Sequence, residues 1–342
     1  MEYLHVPYGQ SRYHMYRGEL DLARYLPEDL LRLSRRRNDP IGLVLGHFSY
    51  GHTLMSAGKF EASRSHLEEA LALCDSIPHR LLIHQAGTHL HGSAHPFLGI
   101  VLFCLGFPDQ ALAQSNAAVA GARRLDHLPT LASSLTVNAR FLSVVGDNVA
   151  LDERTDQLLA VATEQGFPMW HAQGTLFRGW VTVKNGDVAE GISLMRSGLT
   201  GCRASGAEGN MTDLMALLAR ACEIAGQVEE AITQLNSALQ IAERTGERWL
   251  EAELYRHKGQ LLLRQGQSED AEDFYRKALS IAREQEAKLW ELRAATSLAR
   301  LRLYQGRHAE GRALLAPVYG WFTEGFDTPD LREAKALLDE LT

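Results

Sequence analysis

"LEAELYRHKGQLLLRQGQSEDAEDFYRKALSIAREQ", residues 250–285, decides the fold. Apolar residues recur at helical spacing before and after Gly266, so the stretch reads as two amphipathic helices joined by a turn. Glycine there can take the left-handed conformation that ends the first helix, because it has no β-carbon to clash. The same punctuation recurs along the chain at Gly18, Gly58, Gly106, Gly146, Gly186, Gly226, Gly266 and Gly306. Successive spacings are 40, 48 and then 40 five times. Seven positions before each marker stands a small residue: Ser11, Gly51, Gly99, Ala139, Gly179, Ala219, Gly259 or Ala299. Five positions after it stand Ala23, Ser63, Ala111, Leu151, Gly191, Ala231, Ala271 and Gly311, seven small residues of eight, Leu151 being the exception. Small side chains fixed on both helices let their backbones approach, while bulky neighbours such as Tyr255, Leu262 and Tyr275 fill the surrounding space.

This pattern resembles the tetratricopeptide repeat, whose register Tyr255, Gly259, Leu262, Ala271, Tyr275 and Ala278 match. The usual repeat has about 34 residues; the 40-residue period here implies longer helices or turns. Gly166, Gly206 and Gly246 close second helices at the same interval. The expectation is an all-α, tetratricopeptide-like α-solenoid over residues 1–342. About eight hairpins stack into a right-handed superhelix with a concave side, because no hairpin buries its own apolar face. A stop at Gly325, an N-cap at Thr328 and Pro329 at the first helical position predict a capping helix over 329–341. The N-terminus shows no comparable cap, which points to a longer natural chain or a covering partner. Pro27 is expected to kink or delay its helix.

Composition narrows the function. The formal charge is −7 with 45% apolar residues, which argues against a nucleic-acid partner, since phosphate binding needs a basic footprint. Arg35, Arg36 and Arg37 read as the solvated end of a helix, where cations suit the dipole. The longest apolar run, residues 97–107, is too short for a bilayer, so no membrane role is expected. Cys74, Cys104, Cys202 and Cys222 stand far apart on apolar stretches and read as buried thiols of a cytoplasmic protein.

Three passages, "ERTGERWLEAELYRHKGQLLLRQG" (243–266), "AREQEAKLWELRAATSLARL" (282–301) and "LLAPVYGWFTEGFDTPDLREAKALLDEL" (314–341), carry a further resemblance. They resemble the C-terminal repeat regions of bacterial signalling proteins that carry a class III adenylate/guanylate cyclase domain and an ATPase module upstream. The resemblance implies a bacterial regulatory tail that binds something and reports to those domains. It carries over no catalytic residue and no cofactor: "GHTLMSAGKF" (51–60) lacks phosphate-loop spacing.

Six residues before each marker, the first helix should face the concave groove. That row reads Arg12, His52, Ile100, Arg140, Trp180, Arg220, Gln260 and Arg300, with Arg256 and Arg293 nearby. Arginine's planar fork suits carboxylates and phosphates, so the row points to a peptide, a protein or an anionic small molecule as partner. Arginine is also a good helix former on a solvated face. Asp213 and Glu223 stand where they would neutralise Arg220. The 48-residue spacing places eight extra residues around "HQAGTHLHGSAH" (84–95), read as a loop carrying His84, His89, His91 and His95. Imidazoles at i and i+4 suit a metal or enzymatic site, although Gly87 and Gly92 favour a turn and the stretch lacks carboxylates. An oligomerisation platform is the remaining alternative to a non-catalytic ligand- or protein-binding sensor.

Overall fold

A computed structural model describes residues 5–206 and 208–342, and within them eighteen helices and no strand. Eight hairpins follow the ruler: α1 (His5–Tyr16) with α2 (Leu20–Arg37), α3 (Pro40–Ser56) with α4 (Phe60–Cys74), and α6 (Leu90–Leu105) with α7 (Pro108–Arg124). Next come α8 (Leu128–Val145) with α9 (Asn148–Glu164), and α10 (Pro168–Lys184) with α11 (Val188–Ala204). The array continues through α12 (Thr212–Ile224) with α13 (Val228–Thr245), α14 (Glu251–Arg264) with α15 (Ser268–Glu284), and α16 (Lys288–Tyr304) with α17 (His308–Tyr319). All eight marker glycines have φ between 70° and 105°, as the helix stops require. Asp126, Gly166, Gly206, Gly246 and Glu286 share a second left-handed register, φ 48–78°, at the ends of second helices.

The small residues meet where the two helices of each hairpin cross. Ser11 Oγ donates to Ala23 O (3.1 Å), and Ser63 Oγ donates to Gly51 O (2.7 Å). A Cβ on Gly179 would lie 2.5 Å from Gly191 O, and one on Gly259 would lie 3.0 Å from Ala271 O. Interhelical contact at that range leaves no room for a larger side chain.

Two expectations need correction. The inserted residues are not one long loop: they form α5 (His79–Ala86), stopped by Gly87 at φ 73°. His89 then caps α6 while Gly92 lies inside it. A helix buries Leu82 and Ala86 against the stack, which an open loop would not do. Pro27 does not delay α2, which starts at Leu20 and contains it; its ring is buried. The C-terminal expectation holds. Gly325 has φ 75°, and Thr328 accepts a bond from Leu331 N at the start of α18 (Pro329–Glu340), with Pro329 at its first position.

Hairpins about five places apart also touch. Tyr16 O, in the first, accepts from Glu208 N (2.8 Å) and Gly209 N (3.0 Å), just before the sixth. Ser56 O, ending the first helix of the second, accepts from Arg248 N (2.7 Å) and Trp249 N (3.2 Å), at the head of the seventh. In the third, Asp109 N and Gln110 N donate to Glu324 Oε1 at 3.0 and 3.1 Å. One turn of the superhelix therefore rests on the next, and buried Trp290 of the eighth hairpin meets Phe103 of the third across that contact, ring centroids 6.0 Å apart.

Candidate functional site

The stacked turns leave a cavity of about 920 Å³ along the second half of the array. Its walls come chiefly from the first helices α8, α10, α12, α14 and α16, and α18 adds Pro329, Asp330 and Glu333. Of the row six residues before the markers, Trp180, Arg220, Gln260 and Arg300 line it, as do Arg256 and Arg293.

Arg12, His52 and Arg140 do not, because the overlap of the two turns fills the first half. Arg12 lies between two phenols, donating to Tyr8 Oη (3.3 Å) and Tyr16 Oη (3.1 Å). His52 stacks on Phe97 with ring centroids 4.0 Å apart. Burial, with Arg12 and Arg140 nearby, pushes its pKa down to about 3. Arg140 is buried with Nε 2.9 Å from Asp213 Oδ2. Burial raises the Asp213 carboxyl despite that arginine. Beside the pair, Glu247 is fully enclosed and accepts from Asn210 N (3.1 Å), Thr212 Oγ1 (2.7 Å) and Trp249 Nε1 (3.1 Å). Burial, followed by the nearby Asp213 charge, raises its pKa to about 7.

Six cations line the cavity, Lys184, Arg220, Arg256, Arg264, Arg293 and Arg300, against five carboxylates, Asp213, Glu223, Glu253, Asp330 and Glu333. Four of the cations are neutralised. Arg256 Nε meets Glu253 (2.7 Å), Arg264 meets Glu223 (3.0 Å) and Arg300 meets Glu333 (2.6 Å). Arg293 holds Asp330 (2.7 Å) and Glu253 (3.1 Å). Burial alone would raise Glu253, but Arg256 and Arg293 outweigh it and bring its pKa to about 2. The carboxylates expected to neutralise Arg220 are engaged elsewhere: Asp213 with Arg140, Glu223 with Arg264 and with His257 (2.7 Å).

Among the described residues, Lys184 and Arg220 are the lining cations with no carboxylate within ion-pair distance. Both lie against one indole: the Arg220 guanidinium is 4.8 Å from the Trp180 ring centroid and Lys184 Nζ 5.8 Å from it. Trp180 itself is held by Nε1 donating to Asn148 Oδ1 (2.9 Å). Arg220 is solvent-reachable at the cavity wall, yet protein encloses it widely enough that burial, with Arg293 and Arg256 nearby, lowers its pKa to about 10. It stays charged near neutrality. Ile224 and Tyr304, 47% and 73% exposed, add apolar surface to the same cavity. Sequence reasoning missed Lys184, Glu253 and Asp330.

The histidines form a separate cluster. His79 Nδ1 lies 2.7 Å from His89 Nε2, and His91 Nε2 lies 3.1 Å from Asp75 Oδ1. His95 Nδ1 meets Gln114 Oε1 at 2.6 Å, and His84 is exposed on α5. The carboxylate that the stretch itself lacks is thus supplied by α4's end, and His79 joins the rings that sequence reasoning named. Burial and neighbouring imidazoles lower His89 to about 4. Among the described residues, no three His, Cys, Asp or Glu side chains are arranged to hold a metal ion, and no helix is long and apolar enough to cross a membrane. All four cysteines are buried and unpaired.

A tetratricopeptide-repeat family model matches residues 210–284 and 250–320. An uncharacterised protein of Rhizobium meliloti (strain 1021) is 28% identical over 211 residues, covering 61% of this chain and 20% of that protein. The chain thus spans about a fifth of that curated relative's length. A Rap protein complexed with competence and sporulation factor superposes with a TM-score of 0.61 at 13% identity, over 100% of this chain and 98% of that one. The Rap conjugation gene regulator of plasmid pLS20, in complex with a Phr peptide, gives 0.61 at 12% identity over 99% and 98%. NprR in complex with its cognate peptide NprX gives 0.58 at 16% over 92% and 86%. These likenesses are of fold: the chain is a tetratricopeptide-like solenoid.

Proposed function

We propose that the chain, acting as one solenoid over residues 1–342, is a non-catalytic bacterial sensor or scaffold that recognises an anionic peptide or anionic small molecule in its concave cavity. The observation that carries this reading is the pair of unneutralised cations, Arg220 and Lys184, within 6 Å of the Trp180 ring centroid (4.8 and 5.8 Å) in a 920 Å³ cavity. Charge-assisted bonds from a guanidinium are among the stronger polar contacts, and a cavity of this size suits a ligand of several residues. Exposed Ile224 and Tyr304 favour a peptide with apolar side chains over a bare inorganic ion. Similarly folded Rap and NprR structures hold peptides, which supports the same ligand class here. The natural setting we propose is cytoplasmic, as the recognition tail of a longer chain with cyclase and ATPase domains upstream. The much greater length of the curated relative fits that setting.

The test is a calorimetric screen of short acidic peptides against their amide-capped, neutral counterparts. Acidic members should bind and neutral ones should not. Arg220→Gln should weaken binding by roughly 10- to 150-fold, the range expected for one charged hydrogen bond. Equal binding of neutral peptides, or an unaffected Arg220→Gln variant, would refute recognition of an anion.

A further inference from the structure

The C-terminus of α8 forms one wall of the cavity. The last four carbonyls of a helix lack intrahelical partners and carry the negative end of its dipole. In α8, Leu142 O is satisfied locally by Gly146 N (2.8 Å). The next two carbonyls are satisfied from across the cavity: Val144 O by Arg293 Nη2 at 3.0 Å, and Ser143 O by Arg220 Nη1 at 3.5 Å. Arginines of the eighth and sixth hairpins thus clasp the end of a helix in the fourth.

The two halves of the clasp differ. Arg293 is fixed by Asp330 and Glu253, whereas among the described residues Arg220 has only a long bond to a carbonyl and the ring of Trp180. An anion arriving beside Trp180 is attracted by Arg220 and Lys184 and repelled by the α8 carbonyls. Resting on the anion-binding reading above, we infer that Arg220 is a ligand-operated clasp. An oxyanion, carboxylate or phosphate, bound at the Trp180 corner draws the guanidinium off Ser143 O, and the fourth hairpin is released from the sixth. Arg293 remains as the hinge. Ligand occupancy is thereby converted into a change in the spacing of hairpins four and six, which a solenoid passes to its ends because each unit is set by its neighbours.

The experiment places spin labels on Val149→Cys, at the start of α9, and Glu229→Cys, at the start of α13. Both sites are exposed, and the four native cysteines are buried. The inter-label distance is measured with inorganic phosphate, with succinate, and with chloride at matched ionic strength; calorimetry reports binding separately. Arg220→Gln in chloride should lengthen or broaden the distance distribution, and phosphate or succinate should do the same to the parent. Whichever probe acts identifies the oxyanion preferred. Lys184→Gln touches no α8 carbonyl, so it should weaken anion binding roughly tenfold and leave the chloride distance unchanged. A parent-like distribution in Arg220→Gln, with circular dichroism intact, overturns the clasp whether or not any anion binds. Calorimetric binding at Arg220 without a distance change overturns it too. If neither anion binds while Arg220→Gln still opens the structure, the clasp stands and anion control of it falls.

Discussion

Replacing Arg140 with methionine removes the cation that faces two buried carboxylates. Asp213 Oδ2 lies 2.9 Å from Arg140 Nε, and Glu247 is close enough to Asp213 for that charge to raise its pKa. Breaking a buried ion pair by deleting one partner costs about 3–5 kcal/mol, because the other charge stays behind without water. Here two carboxylates are stranded, which puts the cost at the upper end of that range at about pH 8, where both are required to ionise. Protons can substitute for the lost arginine. Glu247 already titrates at about 7, and Asp213 is raised as well. As pH falls both carboxylates take up protons, and the penalty shrinks by about 1.4 kcal/mol per group for each pH step through which the folded variant holds a proton that the folded parent has lost. The expected cost at about pH 5.5 is therefore only roughly 1–2 kcal/mol, mainly lost packing of a long buried side chain. Urea unfolding followed by circular dichroism, at both pH values and with the slope checked for constancy, measures the difference. A cost that is the same at both pH values would show that the methionine variant does not act through stranded carboxylates.

Other perturbations test neighbouring parts of the argument. Glu247→Gln isolates the titration: a carboxyl raised in the folded state contributes its stability below its unfolded pKa and loses it as pH rises through about 7. The stability of the parent relative to Glu247→Gln should therefore fall between about pH 4.5 and 7, by on the order of 3 kcal/mol; a flat difference rules this out. Gly179→Ala puts a methyl group 2.5 Å from Gly191 O and 2.7 Å from Met195 N, both backbone atoms. It should cost roughly 1–3 kcal/mol or more in thermal or urea unfolding. Gly121→Ala, with nothing within 4 Å of the added carbon, should instead stabilise α7 by roughly 0.5–1 kcal/mol. Similar midpoints for the two variants would contradict the close crossing of α10 and α11.

The fold was legible because its decisive contacts repeat with the sequence. Gly179 meets Gly191 for the same reason that Ser11 meets Ala23: the pair recurs in every hairpin but the fourth, where Leu151 stands in the second row, and each needs a short side chain at a fixed distance from a left-handed glycine. The inserted segment broke the period, and with no period to read, its glycines suggested a loop where Leu82 and Ala86 anchor a helix. Turn stops at Asp126 and Glu286 were hidden for a related reason. Their register is that of Gly166, Gly206 and Gly246, but their side chains do not announce it.

The site was only half legible, and the physical reason lies in the pitch. Arg140 and Arg220 occupy the same register, six residues before a marker, and are indistinguishable by local pattern. One is sealed in an ion pair and the other faces the cavity. What separates them is the row thirteen residues before the markers, which brings Asp213, Glu253 and Arg293 to the inner surface. Most inward charges are answered by that row, by an adjacent hairpin or by α18, and the free cations are those the pairing leaves over. Reading both rows together exposes the adjacent pairings, such as Arg256 with Glu253. It does not show that α8's end receives Arg220 and Arg293, because that alignment sums small rotations over several hairpins, and no single interval in the sequence encodes the sum. Ligand control of such a protein is thus expected where a contact depends on the accumulated pitch and is weakly held. The Arg220 bond to Ser143, long and without a carboxylate behind it, meets both conditions.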